Sequence, residues 1–452
     1  MKLAQIALWL SQQCDLDLTV NQIVSDSRLV KPGDVFVALS GETYQGHNFI
    51  SAAAQQGAIA AITDKQDPDV TIPQFVVNDP LVALTTMAIA HRQQVKCPTV
   101  ALTGSNGKTT VKEMIYTALP KPALATTGNL NNHIGVPLSV LRLRPEHRYA
   151  AFELGANHLG EIAQTVKIAQ PDVALINNIG PAHIEGFGSI DGVAKAKGEI
   201  YSGLKKEGIA VINDDDNYNH FWDDIIKDKS VIRFSMTHTA DVYADNIIMD
   251  QYNCAHFQVH FPSQITADIH LQVPGRHLVA NALAAASCLF ALNIPIDNIV
   301  TGLNQFKGVK GRFQRMKGQK ESCIIDDSYN ANLNSTQRAI EALAQYPGKR
   351  ILIMGDMAEL GSWGIEHHQQ IGNLAKQNHI DMVITLGNLS SHTSESFGDN
   401  AFHFNDIGSL IDHVRGLLAS DVTLLIKGSR SARMERVVDA LKEKELHADA
   451  SS

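Results

Sequence analysis

Short hydrophobic runs with two different spacings alternate along the first 95 residues of the chain. Runs at residues 23–24, 35–39, 58–62 and 74–77 are typical of strands, and runs at 49–56 and 81–94 have helical spacing. At the N-terminus, one face of a predicted amphipathic helix carries Leu3, Ile6, Ala7 and Leu10. The alternation predicts an α/β domain over residues 1–95.

A second region, residues 96–311, opens with an apolar strand at 99–102 that runs directly into a glycine-rich loop. Further buried strands, with helical patterns between them, are predicted at 149–153, 173–177 and 209–213. Such alternation predicts right-handed βαβ crossovers and a mostly parallel sheet. Residues 241–273 change to period-2 alternation, which predicts an antiparallel flap ahead of an Ala-rich helix at 277–292.

The third region, residues 312–452, repeats a strand-then-helix pattern. Strands are predicted at 323–326, 350–354, 382–386 and 423–426. The helix predicted at 365–378 has one apolar stripe, formed by Ile365, His368, Ile371, Leu374 and Ala375. This series predicts a Rossmann-like, doubly wound domain that binds ligands at the carboxyl ends of its strands. We therefore expect an α/β protein of three domains: residues 1–95, 96–311 and 312–452.

Length, composition and charge support a folded multidomain protein and exclude some classes of partner. The 452 residues are too many for one hydrophobic core, and the 44% that are hydrophobic can fill several cores. The net charge of -9 argues against nucleic acid as a partner, since a general nucleic-acid binder carries a basic surface. An anionic substrate must therefore be held by a few local cations.

Cysteine spacing and hydropathy indicate a reducing, aqueous compartment. The five cysteines are scattered without a CxxC pair, which indicates reduced thiols and neither a disulfide framework nor a zinc site. No apolar run approaches the roughly 20 residues of a membrane span. The short N-terminal run contains Gln5 and lacks a signal-peptidase site. We expect a cytoplasmic protein without stable membrane insertion.

The glycine-rich segment has the residues of a phosphate-binding loop: Gly104, Ser105, Asn106, Gly107, Lys108, Thr109 and Thr110. The glycines let backbone N–H groups turn towards an anion, and the helix that follows adds its N-terminal dipole. Lys108 supplies charge to the terminal phosphates of ATP, and the Thr109 hydroxyl can bind Mg²⁺. Leu102 stands where the common loop has its first glycine, so an ordinary glycine-rich turn is the alternative.

Candidate metal ligands follow the next two buried strands. Glu153 ends one strand, where its carboxylate can reach a metal at the loop, or can equally face solvent. His183 follows the next strand, where a lone histidine is more often structural than a ligand. From their spacing alone, Lys195 and Lys197 are solvated charges on a helix.

Two polar segments follow buried strands of the third region. Residues 326–332 read Asp-Asp-Ser-Tyr-Asn-Ala-Asn, which suits nucleotide or substrate contact, with a helix cap and turn as the alternative. Lys427 and Arg430 are separated by Gly-Ser and combine two cations with the start of a helix. That combination suits a carboxylate or phosphate, and plain surface charge is the alternative.

In this order, the segments resemble the Mur ligase family over essentially the whole chain. The resemblance rests on motifs at residues 26–28, 103–110, 128–137, 153–158, 182–188, 194–199, 275–277, 281–285, 327–332, 355–361 and 427–430. The segments at 327–332, 355–361 and 427–430 are most similar to those of the family's D-alanyl-D-alanine-adding ligase. Many of its sequences have Pro after the second Asn of Asn-Ala-Asn, where this chain has Leu333.

The resemblance implies a domain for a UDP-sugar substrate, a central ATPase domain and a C-terminal domain for the incoming amine. It implies that D-alanyl-D-alanine is joined to UDP-N-acetylmuramoyl-tripeptide through an acyl phosphate, in peptidoglycan precursor synthesis. ATP and Mg²⁺ are the implied cofactors, and we expect a monomer. The third residue of the tripeptide is open between lysine and diaminopimelate.

The resemblance also implies roles for individual residues. Lys108, His183 and Lys197 would be catalytic, and Thr109 and Glu153 would bind one Mg²⁺ and His183 a second. Lys197 would be carbamylated, which converts a cation into an anionic metal ligand. The other implied contacts are Asn281 with adenine, Arg312 and Asp327 with ribose and phosphate, Ser27, Arg28 and Asn132 with the UDP-sugar, and Asn330, Lys427, Ser429 and Arg430 with the dipeptide.

Two other hypotheses stay open. The chain could be another ligase of the same fold, either an earlier Mur ligase or a folylpolyglutamate synthase-like enzyme. We would expect the earlier Mur ligases to carry an Asp-Tyr-x-His-x-Pro segment where residues 327–332 stand here. From a different class, the chain could be an ATP-gated binding protein without chemistry.

Overall fold

The N-terminal part of the chain forms a small parallel sheet covered by helices. In the computed structural model, which describes residues 1–181, 184–251 and 253–443, this sheet has the strand order β1-β2-β3-β4. Its elements are α1 Leu3–Trp9, β1 Ile23–Val24, β2 Val35–Val37, α2 Ile50–Gln55, β3 Ala60–Thr63, β4 Gln74–Val76 and α3 Pro80–Gln94. The buried face of α1 consists of Leu3, Ile6 and Ala7, as its spacing predicts.

The middle of the chain forms one large sheet with the strand order β13-β12-β11-β10-β9-β8-β5-β7-β6. Its strands are β5 Thr99–Thr103, β6 Ala123–Ala125, β7 Tyr149–Glu153, β8 Val173–Ile176, β9 Ile209–Asn213, β10 Ser230–Ser235, β11 Val242–Met249, β12 Cys254–Phe261 and β13 Ile265–Pro274. Its helices are α4 Lys108–Ala118, α5 Gly135–Leu141, α6 Glu161–Ala169, α7 Ile184–Phe187, α8 Ile190–Ser202, α9 Asp223–Ile226, α10 Leu278–Ala291 and α11 Ile296–Asn304.

Strand β5 lies between β7 and β8, because the chain first adds β6 and β7 on one side of β5 and then adds β8 and β9 on the other. Ligands of open α/β sheets bind at such a switch point, outside the carboxyl ends of the strands. The phosphate-binding loop follows β5 at this position. The predicted flap is antiparallel, as expected, but β11 pairs with β10 in parallel, so the flap continues the central sheet.

The C-terminal part forms a third sheet with the order β14-β15-β19-β16-β17-β18, parallel except at the edge strand β14. Its strands are β14 Gln314–Lys317, β15 Cys323–Asp327, β16 Lys349–Gly355, β17 Met382–Leu386, β18 Ala401–Phe404 and β19 Val422–Lys427. Its helices are α12 Leu333–Leu343, α13 Gly364–Gln377, α14 Ser391–Phe397, α15 Ile407–Leu417 and α16 Glu435–Leu441. The predicted α/β class with a Rossmann-like C-terminal part is confirmed.

Apolar cores lie on both faces of the C-terminal sheet, as in a doubly wound fold. One prediction in this part is wrong: Ile365 is 49% exposed and is not part of the buried stripe of α13. That helix buries Gly364 instead, against the side chain of Leu389. Of the helices in the described ranges, none combines the length and apolar character that crossing a membrane requires.

The apolar cores also show how the three sheets are joined. One core runs without interruption from α1 and the N-terminal sheet through α3 to the helices on one face of the central sheet, as far as Ile226. In the described part of the chain, the cores of the C-terminal sheet begin at Phe313 and contain no residue from the first two sheets. The first two sheets are therefore bound together by buried apolar side chains, and the third is not.

Candidate active site

The phosphate-binding loop leaves β5 and enters α4 through two glycines with positive φ. Gly104 has φ 151° and Gly107, the N-cap of α4, has φ 77°. A Cβ on Gly107 would stand 2.6 Å from Asn177 Nδ2 and 2.7 Å from Asn281 Oδ1, so a side chain would displace these amides. Both glycines are therefore required by conformation or by close approach, as the loop motif predicts.

Side chains at the end of β8 hold the loop from behind. Asn178 Oδ1 accepts a hydrogen bond from the Asn106 backbone N–H at 2.9 Å, and Asn177 Nδ2 donates to the Asn106 carbonyl at 2.9 Å. Ser105 Oγ donates to the Gly180 carbonyl at 3.0 Å. These bonds fix the loop backbone before any ligand arrives, which lowers the reorganisation that phosphate binding requires.

Lys108 is folded over its own loop. Its Nζ donates to the carbonyl of Gly104 at 2.7 Å and to that of Ser105 at 3.3 Å. Burial lowers the pKa of Lys108, and the nearby carboxylate of Glu153 acts in the opposite direction. A phosphate placed in the loop would offer this ammonium a stronger acceptor than two carbonyls do.

Two oxygen ligands suited to Mg²⁺ meet where α4 passes the end of β7. Thr109 Oγ1 donates to Glu153 Oε2 at 2.9 Å, and Asn131 Nδ2 donates to Glu153 Oε1 at 2.8 Å. Glu153 is 2% exposed, so it is not the solvent-facing strand end that was its alternative. A hydroxyl beside a buried carboxylate fits Mg²⁺, which prefers hard oxygens and keeps several waters. His183 lies outside the described residues.

Lys197 and Lys195, two residues apart on α8, have opposite environments. Lys195 is exposed, as a solvated helix charge should be, whereas Lys197 is 1% exposed. Within the described ranges no side chain or carbonyl accepts a hydrogen bond from Lys197, and its Nζ lies 5.9 Å from the ring centroid of Phe187. Burial and then repulsion from Lys108 lower the pKa of Lys197 well below its usual value. Burial and the neighbouring cation therefore disfavour the ammonium form of this amine.

On the C-terminal side, Asp327 and Lys427 end neighbouring strands in register and form a buried ion pair. Lys427 Nζ donates to Asp327 Oδ2 at 2.5 Å and to the Asn330 carbonyl at 2.9 Å. Burial raises the pKa of Asp327, and the Lys427 ammonium acts against that rise. Lys427 is therefore a partner of Asp327 in this structure, and the dipeptide contact that the resemblance implies for it stays a prediction.

Arg312 crosses from the C-terminal side to the phosphate loop. Its guanidinium lies 4.1 Å from the ring centroid of Tyr329, and its Nη2 donates to Thr109 Oγ1 at 3.3 Å. Among the described residues, its buried Nε has no hydrogen-bond partner. The guanidinium thus carries free donor capacity towards the loop, which suits a phosphate or ribose oxygen.

Two adjoining cavities bring most of the predicted site residues together. The first cavity, about 480 Å³, lies between the phosphate loop and the carboxyl edge of the C-terminal sheet. Its lining includes Ser105, Asn106, Gly107, Lys108, Thr109, Thr110, Asn132, Glu153, Asn281, Arg312, Asp327, Asn330 and Lys427. The second cavity, about 870 Å³, is lined in part by Ser429, Arg430, Leu360, Trp363 and His367. The two cavities share Asn330, Ala331, Asn332 and Glu359.

Two predicted substrate residues lie apart from both cavities. Ser27 and Arg28 form a short 3₁₀ turn on the N-terminal sheet, where Arg28 Nη2 is paired with Asp26 Oδ2 at 2.6 Å. The Arg28 side chain is 85% exposed. Because the N-terminal sheet shares a core with the central sheet, apolar packing fixes the position of these residues relative to the cavities.

One end of the first cavity is lined by two aromatic rings that the sequence did not predict there. The ring of His277 meets the ring of Phe313 edge-on, with centroids 6.1 Å apart, close to Leu278 and Asn281 in the cavity lining. Burial lowers the pKa of His277 to about 4, so its ring is neutral near pH 7. The Gly275-Arg-His277 motif marks this position in the sequence, but the spacing of its residues does not predict a role for the histidine.

The lowered pKa of His277 predicts an acid-side loss of stability. A folded-state pKa of about 4 against 6.5 in the unfolded chain means that stability is fully present above pH 6.5 and is lost towards pH 4. The loss should stay below about 1.4 kcal/mol per pH unit. In melting curves from pH 7 to pH 4.5, His277→Gln should lose less stability than wild type. Parallel pH profiles for the two proteins would contradict the assignment.

Three protein-family models together match most of the chain. Residues 19–93 match the Mur ligase family catalytic domain, residues 102–289 the Mur ligase middle domain, and residues 311–430 the Mur ligase glutamate ligase domain. The chain is 44% identical over 451 residues to UDP-N-acetylmuramoyl-tripeptide–D-alanyl-D-alanine ligase of Escherichia coli (strain K12), covering 97% of this chain and 99% of that protein.

Two solved structures share the whole architecture. A crystal structure of MurF from Acinetobacter baumannii matches with a TM-score of 0.88 and 35% identity, over 97% of this chain and 98% of that one. MurF ligase from Thermotoga maritima in complex with ADP matches with a TM-score of 0.81 and 27% identity, over 94% of this chain and 98% of that one.

Proposed function

Since this chain belongs to the Mur ligase family, we propose that it is an ATP-dependent amide ligase that joins D-alanyl-D-alanine to UDP-N-acetylmuramoyl-tripeptide. The observation that carries the proposal is the pair of adjoining cavities, one at a phosphate loop and one at the C-terminal sheet, with a common wall at residues 330–332. The E. coli UDP-N-acetylmuramoyl-tripeptide–D-alanyl-D-alanine ligase and MurF from A. baumannii both match nearly the whole chain.

The first step activates the tripeptide carboxylate. Its oxygen attacks the γ-phosphorus of ATP, the bond to the β,γ-bridging oxygen breaks, and ADP leaves with that electron pair. Both reactants are anions, so the protein must supply positive charge where negative charge gathers in the transition state. Lys108 does this from the loop, and the free donors of Arg312 do it from the opposite wall.

Mg²⁺ fits the oxygens of Thr109 and Glu153 and, when bound, would neutralise phosphate charge. His183 is the proposed contact of a second ion. Other residues of the chain keep the Glu153 carboxylate beside Thr109. Asn131 donates a hydrogen bond to the second Glu153 oxygen, and the Thr126 hydroxyl accepts a hydrogen bond from the Glu153 backbone N–H at 3.0 Å.

In the second step, the dipeptide amine attacks the acyl carbonyl, and the tetrahedral intermediate expels phosphate with the electron pair of the broken C–O bond. The second cavity suits the dipeptide. Arg430 offers a solvent-accessible guanidinium to its carboxylate, and Leu360 and Trp363 offer apolar surface to its methyl groups. An amine bound in the second cavity is separated only by the shared wall from the first cavity, which in this proposal holds the activated carboxyl group.

The other parts of the substrate follow from the same arrangement. Adenine would lie at Asn281, near the neutral ring of His277, with Asp327 on the ribose and phosphate side. Asn132 at the cavity and Ser27 and Arg28 on the N-terminal sheet would hold the UDP-sugar. We place the reaction in cytoplasmic peptidoglycan precursor synthesis, catalysed by a monomer of three domains with limits near residues 95 and 311.

Substrate-dependent phosphate release tests the proposal. Purified protein with ATP and Mg²⁺ should release phosphate only when UDP-N-acetylmuramoyl-tripeptide and D-alanyl-D-alanine are both present. Mass spectrometry should then find the pentapeptide product. Phosphate release with L-lysine, diaminopimelate or glutamate in place of the dipeptide would assign the chain to another ligase. No release with any amine would favour an ATP-gated binding protein.

Arg430→Ala should raise the KM for D-alanyl-D-alanine about 10- to 100-fold, because the dipeptide carboxylate loses a charge-assisted hydrogen bond. The KM for ATP should stay unchanged, because Arg430 lines only the second cavity. Arg430→Lys keeps the charge and should show a smaller increase. Initial rates at varied dipeptide concentration measure this effect, and an unchanged dipeptide KM in Arg430→Ala would remove Arg430 from the dipeptide site.

A further inference from the structure

Asn332 uses its side-chain amide in two directions at once. Its Oδ1 accepts from the Ser335 backbone N–H at 2.9 Å and completes a capping box at the start of α12. Its Nδ2 donates to Asn106 Oδ1 at 3.2 Å, across the first cavity's edge and into the phosphate loop. One side chain therefore caps a helix of the C-terminal sheet and contacts the loop of the central sheet.

The surrounding contacts make this approach close. A Cβ on Gly180, which lies behind the loop, would stand 3.1 Å from Asn334 Nδ2, so the start of α12 packs against the loop's support. Ser105 is hydrogen-bonded to that same glycine. Together with the bond from Arg312 to Thr109, the Asn332 bond bridges parts of the protein that share no apolar core.

We propose that Asn332 is a positioning residue that holds the common wall of the two cavities, residues 330–332, against the phosphate loop. This inference rests on the proposed ligase function and deepens it. The wall must stay in place while an amine in the second cavity attacks a carboxyl group activated in the first. Misplacement of reacting groups by about 1 Å can cost 10²-fold in rate, so an anchor for this wall affects the second step directly.

Serine at position 332 separates the two roles of the side chain. Serine is as good an N-cap as asparagine, so α12 keeps its cap. Its hydroxyl is too short to reach Asn106. Asn332→Ser should therefore keep the wild-type melting temperature and ATP affinity, while kcat/KM for D-alanyl-D-alanine falls about threefold to tenfold, the worth of one neutral hydrogen bond.

A double-mutant cycle ties the effect to this one bond. Asn106→Ala removes the acceptor without touching α12, and the double variant Asn106→Ala/Asn332→Ser should lose no more dipeptide kcat/KM than the larger single loss. Asp406→Ser is the matched control. It makes the same kind of cap exchange at α15, where Asp406 accepts from the Ser409 N–H at 2.8 Å, and should leave kcat/KM unchanged.

The outcomes separate this inference from the proposed function. If wild type does not join the dipeptide at all, the proposed function fails. If wild type is active and Asn332→Ser equals it, or if the two single losses multiply in the double variant, the positioning role is overturned. A lower melting temperature in Asn332→Ser that accounts for the loss, with the same loss in Asp406→Ser, would reduce Asn332 to a helix cap.

Discussion

Lys197→Ala is expected to lower ligase turnover by about 10³-fold, the scale of losing one charged group from a phosphoryl-transfer site. The lowered pKa of Lys197 favours the neutral amine, which is the form that adds to CO₂: the nitrogen attacks carbon, a proton leaves to solvent, and a carbamate anion forms. Burial without a hydrogen-bond acceptor in the described ranges explains why the ammonium is disfavoured here. Wild-type turnover should accordingly fall in CO₂-free buffer and recover with bicarbonate.

Two control variants sharpen this test. Lys197→Arg keeps a cation of similar length that cannot form a carbamate, and should be as inactive as Lys197→Ala. Acetate or propionate should partly restore Lys197→Ala, whose shortened side chain leaves space for a carboxylate, but not Lys197→Arg. With ¹³C-labelled bicarbonate, wild type should show a carbamate NMR signal that both variants lack. Full activity of Lys197→Arg would contradict the carbamate.

Lys108→Ala is expected to reduce phosphate release by about 10³-fold or more, with both substrates saturating, because charge on the transferring phosphoryl group loses its lysine contact. The substitution removes only hydrogen bonds to two loop carbonyls, so the melting temperature should change little. Lys108→Arg tests whether position matters as well as charge, since a planar guanidinium does not replace an ammonium in a loop that fits closely around it.

ATP binding and turnover should separate in these variants. Calorimetry should show ATP bound more weakly to Lys108→Ala, with a much larger loss in turnover than in affinity, since the lysine acts mainly on developing charge. Equal losses in affinity and turnover would instead make Lys108 a plain binding residue. Turnover within tenfold of wild type would contradict its role in the first step.

The strands that place the site were predictable because each is buried on both faces. Continuous apolar runs such as 99–102 and 149–153 therefore mark β5 and β7 almost to the residue. Two of the strands that were not predicted are short or exposed. Ala123–Ala125 has only three residues, and Gln314–Lys317 lies at a sheet edge with alternate exposed positions. The hydrophobic pattern of neither segment differs enough from that of a loop to predict a strand.

Side-chain environments were harder to predict than strands. Helical spacing could not tell Lys197 from Lys195, because burial at one position depends on what packs there from elsewhere in the chain. The sequence did not predict that Lys427 pairs with Asp327, which lies 100 residues away in the chain. That pairing depends on β15 and β19 being neighbours in register, which no local pattern records.

The roles of most site residues stay predictions. The structure places the loop residues, Glu153, Arg312 and Asn281 around one cavity, as the resemblance implies. It does not bring Ser27 or Arg28 to that cavity, and His183 lies outside the described residues. The aromatic end at His277 and Phe313 and the bond from Asn332 to Asn106 came from the structure alone, since both join segments that are distant in sequence.

The distribution of the apolar cores has a consequence for how such a protein can diversify. The core that joins the N-terminal and central sheets constrains their residues mutually, so a change on one side must be accommodated by the other. The described residues of the C-terminal sheet form separate cores, and among its contacts with the rest are polar ones such as that of Asn332. Substitutions within the C-terminal sheet can therefore be accommodated without repacking the core that joins the first two sheets.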